Sequence, residues 1–499
     1  MGTIVIDGNR LDLKAAEEVV FGGAPVDPSP EALERVRRAQ GALARAVEAD
    51  LPIYGVNTGL GKLSTVRIGR RDLRALQRNL VRSHAVGVGR PLPEEAVRGI
   101  LLFRANSLLK GYSGVRPEVI ELLIGMLNRG VYPVVPEQGS VGSSGDLVPL
   151  AHVALVLLGE GRAIHRGEEL PGGEALRRAG LSPLEGFLPK EGLALLNGTA
   201  HMLSLSFMGY VLGWRALRAA FAAAAISFQA LRGRTEPLDP RIHDLRPHGG
   251  QREAAAIMRE LLSGSELVDT YTGDVQDPYS LRCFPQIIGP ILEALWIAEG
   301  RLRVEMNSAT DNPLVLPDGR VLSGGNFHGE ILAFVAEWLS VALAELAASS
   351  ERRLSLLLNA ADRGLPPFLA RESGVNSGLM LLQYTAAALV AENRVLAHPA
   401  AVDSIPTSAG KEDHNSFGAT AAWKLWRIAE NAVRAVALEL VACRWAAEFA
   451  GPQGLSPATR PIYERLCELV PPPGDDAFLG DTIEEVVHVV RRGEITYGI

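Results

Sequence analysis

The sequence has few cysteines, few aromatic residues and no excess of positive charge. Three cysteines in 499 residues are too few and too scattered for a disulfide framework or a paired-cysteine metal site. Fifty lysines and arginines against 57 acidic residues give a net charge of −7, which gives no reason to expect a nucleic-acid partner. With aromatics at 6%, aliphatic residues and alanine have to build the interior.

Long hydrophobic runs of the membrane-spanning type are also missing. The N-terminus carries Asp7, Arg10 and Asp12 where a secretory signal needs an unbroken apolar stretch. The uncharged segment 197–214 contains Asn, Thr, His, Ser and Gly, and it falls short of the about 20 apolar residues of a spanning helix. We therefore expect a cytoplasmic protein without a membrane partner, in which segment 197–214 belongs to a buried core helix.

Helical periodicity dominates the chain after residue 117. The longest periodic segments are rich in Ala and Leu and span residues 199–231, 327–360, 377–396 and 416–449. Helices of this length with few charges around their circumference must be wrapped by others. The sequence predicts a mainly α fold: a long central antiparallel helical bundle over residues 111–499, a smaller mixed α/β part over residues 1–110, and oligomerisation.

Three familiar catalytic signatures fail on spacing. Five residues separate Gly55 from Gly61, and Leu63 replaces the hydroxyl residue of a phosphate-binding loop. In the segment 142–146, Asp146 stands where a hydrolase elbow needs its second glycine. The ten histidines include no His-Glu-x-x-His pair, so we expect no metal in catalysis.

The segment 139–147, Gly-Ser-Val-Gly-Ser-Ser-Gly-Asp-Leu, has two readings. Taken alone, its small residues and acid favour a flexible turn with a helix N-cap. The chemical alternative is that the nitrogen of Gly145, which lacks a neighbouring Cβ, closes onto the carbonyl two residues back. Loss of water from that ring and from Ser144 would leave an exocyclic methylidene, which is a soft electrophile.

The second reading is favoured because this segment resembles the Ala-Ser-Gly self-processing motif of the aromatic amino acid ammonia-lyases. The resemblance spans residues 50–420 and includes, in order, blocks like those of the histidine-specific members: Tyr54-Gly-Val-Asn-Thr-Gly59, Ser83-His-Ala85, Leu195-Leu-Asn-Gly-Thr199, Gln276-Asp-Pro-Tyr-Ser-Leu-Arg-Cys283, Asp311-Asn-Pro-Leu314, Gly324-Gly-Asn-Phe-His328 and Glu412-Asp-His414. It implies a 4-methylidene-imidazol-5-one (MIO) group formed from Ser143-Ser144-Gly145, with no external cofactor. It also implies a homotetramer whose active sites are shared between subunits, with Tyr54, Ser144 and Glu412 coming from different chains.

The resemblance also assigns roles to single residues. The MIO ring captures the substrate amine, and Tyr54 takes the β-proton as general base. Because a phenol ionises poorly at neutral pH, this tyrosine needs cationic or hydrogen-bonding neighbours. Arg282 matches the clamp for the substrate carboxylate. Asn197 and Tyr279 match the groups that steady the ring and the substrate amine. Gln276 and Phe327 match residues that line the pocket.

Two positions bear on the substrate. Ser83-His84 resembles the histidine-specific enzymes, and Glu412 matches their carboxylate, where phenylalanine enzymes tend to have an amide. Both polar groups can bind an imidazole and would penalise a phenyl ring. The resemblance therefore implies ammonia elimination from L-histidine to give trans-urocanate. Two departures bear on this: Ser143 replaces the usual Ala, and Lys411 replaces the usual Gln beside Glu412. If the Lys411 ammonium paired with the Glu412 carboxylate, recognition of the imidazole would weaken.

Three alternatives stay open from the sequence. A phenylalanine or tyrosine ammonia-lyase, or a 2,3-aminomutase, would use the same scaffold and electrophile. A serine amidase would use Ser144 as nucleophile and would need a lysine close to it. A helical scaffold without catalysis would leave Ser144 and Gly145 unmodified.

Overall fold

A computed structural model describes residues 2–495, and its fold is mainly helical, with 59% helix and 7% strand. The predicted fold class is confirmed. The helices of the described residues, α1 to α18 in chain order, are Leu13–Val20, Pro30–Glu48, Leu73–His84, Glu94–Leu109, Pro117–Arg129, Leu147–Leu157, Gly172–Arg178, Glu191–Leu196, Ala200–Ala230, Pro240–Asp244, Gly249–Leu262, Tyr279–Arg282, Phe284–Glu305, Glu330–Leu358, Met380–Leu396, Gly418–Ala450, Arg460–Leu469 and Gly480–Arg492.

The strands are short and form four small sheets. In chain order, β1 to β9 are Ile4–Ile6, Val26–Pro28, Val88–Pro91, Val131–Pro133, Pro136–Gln138, Arg162–His165, Glu168–Pro171, Leu314–Val315 and Val321–Leu322. Strand β1 pairs with β2 in parallel, with Ile4 opposite Val26, whereas β3–β5, β4–β6–β7 and β8–β9 are antiparallel. None of these sheets is large enough to form a core layer by itself.

Local sequence signals placed several helix ends correctly. Helix α2 begins at Pro30, and the Ser29 hydroxyl accepts a hydrogen bond from the Ala32 N–H at 3.1 Å, as a Ser N-cap before an N1 proline predicts. Helix α15 ends at the expected residue, Leu396. The ends of the four long helices differ from the predicted ranges by at most three residues, because helix ends are set by capping contacts that periodicity does not report.

The chain divides into two compact units. The first consists of Met1–Met208, Glu299–Glu337 and Pro399–Trp423 and contains every strand of the described residues. The second consists of Gly209–Ala298, Trp338–His398 and Lys424–Ile499, and its described residues are helices and connecting loops. The division at residue 110 expected from the sequence stays a prediction beside this packing division.

Helix α9 is buried on all sides, as its composition predicts, whereas α14 keeps one exposed apolar face. Every residue from 219 to 225 in α9 is fully buried, and six of these seven are alanines. By length and composition α9 and α14 could cross a membrane, but 83% and 56% of their most apolar windows are buried inside the protein. The core position expected for segment 197–214 is confirmed, with α9 beginning at Ala200.

Candidate active site

The turn before α6 is held tightly by buried contacts. Asp146 is completely buried, and its carboxylate accepts hydrogen bonds from the Ser140 hydroxyl at 2.9 Å and from the N–H groups of His201 and Met202 at 3.1 and 2.9 Å. It therefore caps the start of α9, where an anion is favourable, and makes no side-chain cap on α6. The flexible turn with a local N-cap is the wrong reading of this segment.

Two glycines make the turn possible. Gly145 has φ +76° and forms a parallel bridge with Gly198, and the Asp146 N–H donates to the Gly198 carbonyl at 2.7 Å. A Cβ on Gly145 would overlap the Gly198 carbonyl, and one on Gly198 would overlap the Arg104 guanidinium. These positions accept glycine alone, because a larger residue would meet both a strained φ and occupied space.

Ser144 is held from two sides. The Asn197 side-chain N–H donates to the Ser144 carbonyl oxygen at 2.7 Å, and the Ser144 hydroxyl donates to Glu412 Oε1 at 2.8 Å. The other oxygen of Glu412 accepts from the Thr407 hydroxyl at 2.8 Å. The most reactive part of the turn is thus fixed by residues 53 and 268 positions away in the sequence.

A cavity of about 1190 Å³ in the first unit opens onto Ser144. It is lined by many of the residues expected from the sequence: Tyr54, His84, Ser143, Ser144, Asn197, Phe327 and Glu412. The Tyr54 hydroxyl oxygen accepts a hydrogen bond from the Gly61 N–H at 3.0 Å, which fixes the position of that oxygen at the cavity. Because Tyr54, Ser144 and Glu412 line one cavity of one chain, the expectation that they come from different subunits is wrong.

The surroundings of His84 disfavour the charged form of its ring. Its ring Nδ1 lies 3.0 Å from the Ser83 hydroxyl. Burial lowers the pKa of His84 below its ordinary value, while a backbone hydrogen bond to Leu80 and the negative charge of Glu412 oppose the change. The cavity therefore contains the imidazole ring of His84, whose neutral form is favoured, and the carboxylate of Glu412.

Lys411 lines the same cavity without pairing with its neighbour. Among the described residues it makes no recorded ion pair, and both oxygens of Glu412 accept from hydroxyl groups, those of Ser144 and Thr407. The pairing of Lys411 with Glu412 that the sequence left open is absent from these contacts. The Glu412 carboxylate keeps its role as a hydrogen-bond acceptor.

Three expected site residues lie elsewhere, in the second unit. Gln276 and Tyr279 are exposed, with Tyr279 at 68%, and Arg282 is half-buried. The Arg282 guanidinium lies 4.8 Å from the Tyr279 ring centre, and its Nε donates to the Asp277 carbonyl at 3.2 Å. These three side chains form a separate group, and none of them lines the cavity at Ser144.

Sequence reasoning missed other residues around the turn. The Thr407 hydroxyl donates to the Glu412 carboxylate. His328 and His414 line the cavity, and their stacked ring centres are 5.9 Å apart. The Arg104 guanidinium donates to the Asn197 carbonyl oxygen. The available signal for Arg104 was a single cation inside the apolar run Leu101-Leu-Phe-Arg-Ala105. A charge in such a run is buried and needs a specific partner.

The cavity at the Ser-Gly turn is a candidate active site, and the comparisons with known proteins show that this protein is an enzyme, specifically a carbon–nitrogen lyase. The chain belongs to the aromatic amino acid lyase family, whose model matches residues 11–468. It is 49% identical over 509 residues to the histidine ammonia-lyase of Anaeromyxobacter dehalogenans (strain 2CP-C), covering 99% of this chain and all of the relative.

Solved structures of the same fold include a histidine ammonia-lyase and a tyrosine aminomutase. The histidine ammonia-lyase of Trypanosoma cruzi superposes with a TM-score of 0.92 at 38% identity, over 99% of this chain and 94% of that one. The tyrosine aminomutase of Streptomyces globisporus gives a TM-score of 0.94 at 36% identity, over 99% and 97%. The fold is thus shared by enzymes that differ in substrate and product, and the distinction depends on the cavity.

Proposed function

We propose that this protein is a histidine ammonia-lyase that eliminates ammonia from L-histidine to give trans-urocanate. The observation that carries the proposal is the position of Ser144, held between Asn197 and Glu412 in a cavity that also contains His84. The printed names of relatives near 49% identity over the full chain support the same substrate. A soluble, cytoplasmic enzyme is in keeping with the composition.

The residues of the turn fit self-processing to an MIO group. Ring closure joins the Gly145 nitrogen to the Ser143 carbonyl carbon, and water leaves with the Ser143 oxygen and the two amide hydrogens of Ser144 and Gly145. A second water takes the Ser144 hydroxyl and its Cα hydrogen, so no oxidant is needed. The positive φ of Gly145 and its close approach to Gly198 restrict the backbone of the turn at the nitrogen that would close the ring.

Maturation would also prepare the substrate site. The Ser144 hydroxyl that occupies Glu412 Oε1 leaves as water, whereas Thr407 continues to hold Oε2. One carboxylate oxygen is then free to accept the imidazole N–H of the substrate, and His84 provides a second polar contact. The mature group supplies an electrophilic methylidene for the amine, and Tyr54 is the general base for the β-proton, with the Gly61 N–H fixing the position of its oxygen.

The carboxylate clamp is assigned to Arg282, with Tyr279 and Gln276, in a second copy of the chain. This requires an assembly with shared active sites, since these side chains are outside the cavity of their own chain, and the homotetramer is the assembly we propose. Helix faces in the described residues carry exposed large apolar side chains that an assembly would cover: Trp296, Ile297, Ile331, Phe334, Trp338, Val341, Leu381 and Tyr384. On α14 four of them recur at helical spacing, which forms a continuous stripe.

The serine amidase alternative is opposed by the partner of its nucleophile. The Ser144 hydroxyl donates to the Glu412 carboxylate, and Lys411, which lines the same cavity, makes no hydrogen bond to it among the contacts of residues 2–495. Phenylalanine as substrate is opposed by the placement of Glu412 and His84 in the cavity, because its phenyl ring would leave both polar groups unpaired. Tyrosine, whose hydroxyl could pair with either group, is separated from histidine by the product that forms.

The test uses the purified chain with L-histidine, L-phenylalanine and L-tyrosine in separate reactions, followed by the ultraviolet absorbance of urocanate, cinnamate and coumarate. We expect urocanate from histidine and an intact mass lower than the sequence mass by two water molecules. Cinnamate or coumarate in place of urocanate would refute the substrate. An unmodified mass would refute the electrophile.

A further inference from the structure

Arg104 is a buried cation close to the self-processing turn. It lies in α4 and is 1% exposed, yet of its guanidinium groups only Nη1 has a hydrogen-bond partner among the described residues, the Asn197 carbonyl oxygen at 3.0 Å. Nε and Nη2 are buried without partners. A guanidinium with most of its donors unused is unfavourable in the protein interior, so its presence calls for a function other than fold stability.

The guanidinium packs directly behind the residues that hold Ser144. Its Nη1 occupies the space that a side chain on Gly198 would take, and Gly198 bridges to Gly145. Through the Asn197 carbonyl it fixes the backbone from which the Asn197 amide reaches the Ser144 carbonyl oxygen at 2.7 Å. Arg104 is therefore one residue removed from the atom that becomes the ring oxygen.

Two buried cations, Arg104 and Lys190, interact with the same carboxylate, that of Asp311. Lys190 and Asp311 are both fully buried and form an ion pair at 2.5 Å, and the second oxygen of Asp311 has no partner in the described chain. Burial lowers the pKa of Arg104, and the negative charge of Asp311 opposes this change. Two cations thus share one nearby anion, whereas the carboxylate of Asp146 is already satisfied by three donors.

We propose that Arg104 is a positioning residue for self-processing, which holds the Asn197 amide on the Ser144 carbonyl oxygen with a buried positive charge behind it. This inference rests on the proposed function. When Ser144 loses its Cα hydrogen and its hydroxyl as water, the electron pair from the Cα–H bond shifts transiently toward the carbonyl oxygen before it forms the Cα–Cβ double bond. A fixed N–H donor at that oxygen, backed by a cation, stabilises this shift.

The experiment follows the intact mass of newly made chains with time in a cell-free synthesis reaction. The variants are Arg104→Gln, which removes the charge, and Arg104→Lys, which keeps it but loses the planar donor group. The matched control is Arg98→Gln: Arg98 lies on the same helix and is also buried, but it binds the Val19 carbonyl and the Tyr132 hydroxyl. Circular dichroism and Tm report whether each variant folds.

We expect Arg104→Gln to lose its two waters about tenfold more slowly than the unchanged chain, or slower still, with Arg104→Lys between them. Arg98→Gln should lose the two waters at the rate of the unchanged chain, even if its Tm falls by as much as that of Arg104→Gln. Equal slowing in Arg98→Gln, or unchanged processing in Arg104→Gln, would overturn the proposal. An unchanged chain that never loses the two waters would refute the proposed function itself.

A second measurement covers the case in which Arg104→Gln does not fold. Arg104→Lys is then compared in the natural background and with Asn197→Ala, in a double-mutant cycle of processing rates. If Arg104 acts through Asn197, the lysine variant slows processing in the first background and has no further effect in the second. Equal effects in both backgrounds, or no effect in either, would contradict the inference.

Discussion

Replacement of Glu412 by glutamine is the sharpest test of substrate recognition. The carboxylate is held at Oε2 by the Thr407 hydroxyl, and its Oε1 becomes available once the Ser144 hydroxyl has left. A hydrogen bond from a substrate N–H to a carboxylate is worth about 1.5–3 kcal/mol, so Glu412→Gln should lower kcat/KM for histidine by about 10- to 150-fold. The same variant should leave any slow turnover of phenylalanine unchanged or raised, because a phenyl ring makes no such bond.

The assay is urocanate formation by chains whose intact mass shows completed processing, so that recognition is measured apart from maturation. Asp413→Asn is the matched control, since Asp413 lines the same cavity but holds neither Ser144 nor Thr407. We expect it to change kcat/KM by less than about fivefold. Equal losses in both variants, or no loss in fully processed Glu412→Gln, would refute the assignment of Glu412 as the imidazole acceptor.

Three further outcomes follow from the structure. Burial lowers the pKa of His84, so the unfolded chain binds a proton at a higher pH than the folded chain, and stability is lost as the pH falls below about 6.5. Between about pH 7.5 and 5.5, the Tm of the natural chain should therefore drop more than that of His84→Gln. Equal drops in the two chains would contradict this. Gly145→Ala should abolish the loss of two waters because its Cβ would overlap the Gly198 carbonyl, whereas Gly180→Ala, with a similar positive φ and open space, should process normally and cost only about 1 kcal/mol in denaturant unfolding. Lys411→Gln should leave kcat/KM for histidine within about fivefold, and a larger change would reveal a role that its unpaired position does not predict.

Much of the helical architecture could be predicted from local signals. The cap at Ser29 and the apolar periodicity of the four longest helices depend on neighbours within a few residues, and so they can be read along the chain. The exact ends of α14 and α16 could not, because they depend on tertiary contacts. Oligomerisation was predicted from apolar helix faces, and it stays a prediction together with the division at residue 110.

The candidate site was predicted only in part. The motif blocks identified Tyr54, His84, Ser144, Asn197 and Glu412, and the structure brings all five to one cavity. The prediction that Tyr54, Ser144 and Glu412 come from different chains was wrong. Sequence order carries no information on whether two blocks meet within a chain or between chains.

By itself, the sequence determined the family, the helical class and the residue types required at the compressed turn, because these are local patterns of glycine spacing, apolar periodicity and short motifs. Only the tertiary structure decided that Glu412 binds Ser144 and not Lys411, that Asp146 caps α9, and that Arg104 supports Asn197. The physical reason is that each of these contacts joins buried or half-buried polar groups 55 to 268 residues apart in the sequence. Their partners are chosen by which groups remain unsatisfied when the helices pack, and that choice exists only in the folded chain.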